Sequence, residues 1–185
     1  MIRVISGRRI LWLLVVLVGL ATAFALWSTR DEATLAPAAV KPDAVARIKG
    51  GPLAPGLSGV VELRRFGEGT IVYARISGLK SNGFHGIHIH EFGDCAVGDP
   101  TNPFLAAGGH WNPTGQPHPD HAGDLPVLLS NNGTALMVVY TSRFRPQDAI
   151  GRSVIIHELP DDYRTQPAGA SGKRLACGAI VAAGK

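Results

Sequence analysis

The segment His85-Gly86-Ile87-His88-Ile89-His90-Glu91-Phe92-Gly93-Asp94-Cys95 places three of the chain's seven histidines within six residues. Alternate side chains of a strand share a face, so His88 and His90 project together while Ile87 and Ile89 project to the other side. His85 falls on the isoleucine side and reads as a hydrogen-bonded packing residue. Farther along, His110 stands in GGHWNP, His118 in QPHPD, His121 and Asp124 in HAGD, and His157 closes VIIH. Any one of these would pass as a surface histidine. Six histidines in or beside long loops fit a metal site better, because imidazole suits copper and zinc and a carboxylate joins zinc readily. The run from His118 through His121 to Asp124 is short enough to clamp one ion, since three residues span at most about 10–11 Å.

These residues need a scaffold. The stretch GLSGVVELRRFGEGTIVYARISGL reads as two strands joined at Gly67-Glu68-Gly69, with Val72, Ala74 and Ile76 on one face and Tyr73, Arg75 and Ser77 on the other. VLLSNNGTALMVVYT repeats the pattern around Asn132-Gly133, a hairpin signal. RSVIIHEL and RLACGAIVA are two further β-rich runs, and no segment of the body carries a helical period. The expectation is an antiparallel sandwich or barrel of about eight strands. Residues 92–126 and 159–173 are Gly-, Pro- and polar-rich loops too long to be mere turns, and such loops in a compact domain usually carry function.

The 185 residues suffice for one domain with a core. The formal net charge of +4 comes from Arg3, Arg8, Arg9 and Arg30, which no acid accompanies in residues 1–30; the remainder is balanced, which excludes a nucleic-acid partner. The three leading arginines precede an uncharged run from Ile10 to Trp27. That is an export signal in outline, with small-residue cleavage sites at 21–25, yet it is also close to the length of a spanning helix. Residues 1–27 therefore read as a signal peptide or an N-terminal membrane anchor, residues 28–44 as a flexible linker, and residues 45–185 as the folded body. Both readings export the body to the periplasm or cell envelope, anchored by residues 10–27 in one of them. In an oxidising compartment Cys95 and Cys177, the only cysteines, read as a disulfide.

With these residues in hand, the chain strongly resembles the copper/zinc superoxide dismutases, specifically the exported bacterial type. The resemblance runs from about Val45 to Ala183 through HGIHIHEFGDC, GGHWNP, HAGDLP, IIHELPDD and GKRLACGAI, in family order. It implies an eight-stranded antiparallel Greek-key β-barrel or sandwich with long functional loops. It implies copper on His88, His90, His110 and His157, and zinc on His110, His118, His121 and Asp124, with His110 shared as a bridging imidazolate. Asp161 matches a carboxylate linking a copper ligand to a zinc ligand, and Arg174 the arginine that guides the anion. Cys95 and Cys177 match the family's disulfide. One departure stands out: two residues separate His118 from His121, where family members usually have a longer insertion.

The implied reaction is dismutation of superoxide to O₂ and H₂O₂ with one copper and one zinc per chain, in which Arg174 and His110 are the catalytic residues. The chain would act as a monomer or a homodimer. Because residues 31–185 balance in formal charge, attraction of a small anion must be local. The competing reading is a non-catalytic copper/zinc-binding module on the same scaffold, whose marker would be loss of a copper ligand or of the arginine. A zinc hydrolase would want one zinc with an open position and a general base, and the histidine set is too large for it.

Overall fold

The computed structural model describes residues 41–80 and 82–184. The signal or anchor segment and most of the linker lie outside the described residues. Nine strands are described: β1 Ala44–Gly50, β2 Ser58–Phe66, β3 Gly69–Ser77, β4 Gly83–His85, β5 Ile87–His90, β6 Leu128–Ser130, β7 Thr134–Thr141, β8 Ser153–His157 and β9 Arg174–Ala182. Seven form one ladder in the order β5-β8-β9-β1-β2-β3-β7, and β4 pairs with β6. Every pairing is antiparallel.

The turn chemistry explains the register. Gly67 takes a positive φ of 57° in the turn between Phe66 and Gly69, and Asn132 and Gly133 take φ of 49° and 78° in the β6–β7 hairpin. Both turns need the left-handed region that glycine and asparagine tolerate. The sequence HGIHIH is not one strand. Gly86 breaks it, so β4 pairs with β6 while β5 pairs with β8. Because β4 leads into one edge of the long ladder and β6 leads into the other, their pairing joins the two edges and curls the ladder into a barrel. The β3–β4 and β7–β8 connections cross between those edges, which is the Greek-key course.

The barrel interior is filled by alternate residues: Ala46 and Ile48, Val61 and Leu63, Val72, Ala74 and Ile76, Ile87 and Ile89, Val154 and Ile156, and Ile180. These strands bury one face, so the period of two fixes which side chains enter the core. On β5 that assignment leaves His88 and His90 on the outer face. A smaller cluster covers that outer face. Phe104, Ala107 and Ile155 pack with Cys177 and with Cys95, and the two cysteines form a disulfide. The bridge ties the loop after β5 to β9 across a separation of 82 residues. Closing a loop of that length stabilises the fold by about 4–5 kcal/mol in the chain-entropy account.

Candidate metal centre

Three backbone contacts lay the first long loop along β5. Ile89 N–H donates to the Gly123 carbonyl, Trp111 N–H to Ile89 and Gly123 N–H to Trp111, at 2.8–2.9 Å. A Cβ on Gly123 would overlap the Ile89 carbonyl, so a glycine is needed for this approach. The result is two isolated bridges, His88 opposite Asp124 and His90 opposite His110. Residues remote in sequence are thereby brought onto the outward face of β5. β8 adds His157 through its pairing with β5 and through the His157 N–H donating to the Gly86 carbonyl at 2.9 Å.

Two groups of side chains converge there. His88, His90, His110 and His157 each offer a ligand atom, and these atoms lie within 4.8 Å of one another; the same holds for His110, His118, His121 and Asp124. His110 belongs to both. All seven residues are buried. In the first group, His90 Nε2 lies 3.4 Å from His157 Nε2, and the His88 and His110 rings are 3.9 Å apart at their centroids. In the second, the Asp124 carboxylate is approached by His110 Nδ1 at 2.7 Å, His118 Nδ1 at 3.0 Å and His121 Nδ1 at 3.2 Å.

The unsatisfied atoms test the fit. His88 Nδ1, His110 Nε2, His118 Nδ1 and His121 Nδ1 are buried without a hydrogen-bond partner; the last two are near Asp124 in distance but are not aligned to it. A buried nitrogen left so is costly unless something else takes its lone pair. Each aims into one of the two groups. The opposite ring nitrogens are held: His88 Nε2 lies 2.7 Å from Asp161 Oδ2, His90 Nδ1 donates to the Gly108 carbonyl at 3.0 Å, and His118 Nε2 lies 2.9 Å from Asp161 Oδ1. Fixing one nitrogen sets the tautomer and turns the lone pair of the other toward the site. The set of imidazoles with a single carboxylate suits copper and zinc.

Burial shapes the protonation states. Desolvation lowers His88 to about 4, against the help of Asp161, and holds His90 and His157 well below the ordinary imidazole value. Neutral rings keep lone pairs available. Desolvation alone would raise Asp161. Hydrogen bonds from His88, the Tyr163 N–H and His118 outweigh it and hold the carboxyl far below the usual carboxylate range.

Arg174 stands at the start of β9 opposite His157. Its Nη1 donates to the Phe104 carbonyl at 2.5 Å and its Nη2 to Gly108 at 2.7 Å. The guanidinium is fixed at the wall of a pocket of about 570 Å³ that reaches His90, His110 and His157 and is walled on its other side by Gln166 and Ser171. The loop between β8 and β9 supplies that wall and Asp161. His85, the packing residue of the sequence reading, is buried with Nδ1 3.0 Å from the His157 carbonyl, so it holds the backbone of a clustered histidine.

Sequence reasoning missed the residues that hold the short His118–His121 loop. Arg143 Nη1 faces the carbonyls of Pro119 at 2.9 Å, His121 at 3.0 Å and Asp124 at 3.4 Å. Gln166 accepts from His118 N–H at 3.0 Å and donates to the His118 carbonyl at 2.7 Å. The Tyr163 hydroxyl accepts from Val127 N–H at 2.8 Å. No motif marks them, because they bind chiefly backbone; Arg143 adds one exposed ion pair, to Asp120 at 3.4 Å.

Comparison with known proteins agrees with this geometry. The family model described as copper/zinc superoxide dismutase matches residues 57–180. A superoxide dismutase [Cu-Zn] from Deinococcus radiodurans is 40% identical over 131 residues, covering 62% of this chain and 71% of that protein. The solved Cu/Zn superoxide dismutase from Brucella abortus superposes with a TM-score of 0.65 at 31% identity, covering 74% of this chain and 98% of its own. With the fold, the paired ligand groups and these similarities together, the chain belongs to the copper/zinc superoxide dismutase family.

Proposed function

We propose that this chain is an exported superoxide dismutase in which His88, His90, His110 and His157 hold copper and His110, His118, His121 and Asp124 hold zinc. The observation that carries the reading is the sharing of His110 by two buried four-residue groups. Copper, when bound, supplies the one-electron couple that dismutation needs and that zinc lacks.

The chain's own residues do the rest. Arg174 offers a fixed positive charge beside His90 and His157, which draws a small anion into the pocket. Local fields of this kind raise on-rates by about 10–10³, and salt weakens them. His110 can carry a proton at Nε2, the nitrogen with no hydrogen-bond partner, while Nδ1 stays against Asp124. A proton held there is within reach of a product peroxide in the same pocket. Asp161 links the two halves by holding His88 Nε2 and His118 Nε2 on its two oxygens. The buried disulfide is of the kind found in oxidising compartments, which supports export to the periplasm or cell envelope. Residues 1–27 serve as a cleaved signal peptide or as a membrane anchor through Ile10–Trp27, residues 28–44 as the linker up to the start of β1 at Ala44, and residues 45–185 as the enzyme domain.

Superoxide decay measured on the metal-free protein, with copper alone, with zinc alone and with both, tests the reading. Activity should require copper and reach its full value with both metals. Copper bound in stoichiometric amount without dismutation would refute it in favour of a metal-binding module.

A further inference from the structure

The outer faces of the two halves of the barrel differ. Over β5, β8 and β9 the long loops and the disulfide cover the sheet. Over β1, β2, β3 and β7 the described loops reach only the edge at Val139–Thr141, where Tyr140 shares a pocket with Pro119, Leu125 and Tyr163. Strand register arranges the outward residues there in rows. Tyr140, Ile71 and Arg64 form one; Val138, Tyr73, Glu62, Val45 and Val181 the next; Leu136, Arg75, Val60 and Arg47 the third. A strand facing water ordinarily turns polar residues outward. β7 instead turns out Leu136, Val138 and Tyr140, which are 63%, 62% and 51% exposed. Phe66 is 61% exposed and packs edge-on against Tyr140.

Charge is also unequal across the body. Arg47, Lys49 and Arg75 are exposed on this face, with neither an ion pair nor a side-chain hydrogen bond among the described residues. The acids nearby are already engaged: Glu62 with Arg64, Glu68 with Arg145, and Asp43 with the Arg65 N–H. Most other acids lie in or beside the loops around the metal centre, as Asp94, Asp99, Asp120 and Asp162 do. Residues 31–185 balance in formal charge, yet within them this one face is apolar and positive. The chain also enters here. Ala44 begins β1 opposite Ala182, at the end of the face that carries Val181, Phe66 and Tyr140. Arg174 lies at the other end of β9, about 26 Å away at a strand rise of about 3.3 Å per residue.

We propose that this face rests on an anionic phospholipid surface. Phe66, Leu136, Val138 and Tyr140 enter the headgroup layer, Arg47, Lys49 and Arg75 meet lipid phosphates, and the mouth of the metal centre points away from the bilayer. Exposed aromatic and aliphatic side chains beside free cations are the combination that binds such surfaces. The proposal rests on the reading that Ile10–Trp27 stays in the membrane, which keeps the face at a high effective concentration over lipid.

The test uses the full chain with a protease site placed in the linker, reconstituted in vesicles of phosphatidylcholine with or without phosphatidylglycerol. After cleavage, the body should sediment with the phosphatidylglycerol vesicles several-fold more than with the others. High salt, Val138→Asp, or Arg47→Glu with Arg75→Glu should release it, with superoxide decay unchanged. Equal release from both vesicles would overturn the proposal. A freed body that forms a dimer dissociated by Val138→Asp would overturn it too, assigning the face to a second copy. A chain that leaves the vesicles before cleavage would refute the anchor instead. The affinity of the face for phosphatidylglycerol is then read from the same sedimentation.

Discussion

Replacing Arg143 by methionine should loosen zinc while leaving copper in place. Its Nη1 carries two hydrogens and faces three carbonyls, all within the short loop that bears His118, His121 and Asp124. Hydrogen bonds from a charged donor contribute about 1.5–3 kcal/mol each when their partners are buried. Arg143 is 39% exposed, so water can replace much of that contact, and the net loss is reduced to about 1–3 kcal/mol for the set. If the loop must be re-ordered each time zinc binds, that loss appears as a fall of about 5- to 150-fold in zinc affinity. The assay is competition of zinc between copper-loaded protein and a chromophoric chelator, for wild type, Arg143→Met and Arg143→Lys. Lysine offers a point charge in place of the planar fork and should restore only part of the affinity. A variant that folds normally and keeps wild-type zinc affinity would refute the idea that Arg143 organises the loop.

Arg174→Glu should slow superoxide decay by about tenfold or more and invert its dependence on salt, since the local field is reversed and screening then relieves repulsion; an unchanged rate at full copper would remove Arg174 from substrate attraction. Gly169→Ala should weaken both metals together: Gly169 has φ of 66°, and an added Cβ would overlap the Asp161 carboxylate and lie 2.7 Å from His118 Nε2. Equilibrium dialysis that finds both affinities unchanged would contradict the linking role of Asp161. The metal-free protein should lose stability as pH falls from 6.5 toward about 4. In that window the unfolded chain binds protons that buried His88, His90 and His157 refuse, so the slope of stability with pH is positive. Urea titrations across that range should show the slope, and metal loading should steepen it, since rings that hold a metal bind no proton until the metal is lost; a flat metal-free profile would contradict the burial of these rings as neutral groups.

Much of the barrel was legible because its strands obey a period of two and its hairpins carry Gly or Asn-Gly where positive φ is required. The division of His88 and His90 from the isoleucines follows from the same period. Other features left no such mark. β1, Ala44–Gly50, begins at the last residue of the expected linker, and its sequence AVARIKG is too short and too charged to announce a central strand. Gly86 looked like part of one strand, yet it is the point where pairing passes from β6 to β8. The hold of Arg143 and Gln166 on the short loop, and of Tyr163 on Val127 just beyond it, was invisible because carbonyls and amides have no sequence identity. A histidine's ligand set can be guessed from spacing and chemistry, but which nitrogen faces the metal depends on what holds the other nitrogen, as Asp161 does for His88.

The shared ring of His110 is the centre of the account, and it has a direct spectroscopic test. An imidazolate that joins two paramagnetic ions couples their spins. With copper(II) in the first group and cobalt(II) replacing zinc in the second, the copper electron paramagnetic resonance signal should be lost, while the copper/zinc protein retains it. A full copper signal beside stoichiometric cobalt would mean that His110 does not join the two sites and would contradict the account.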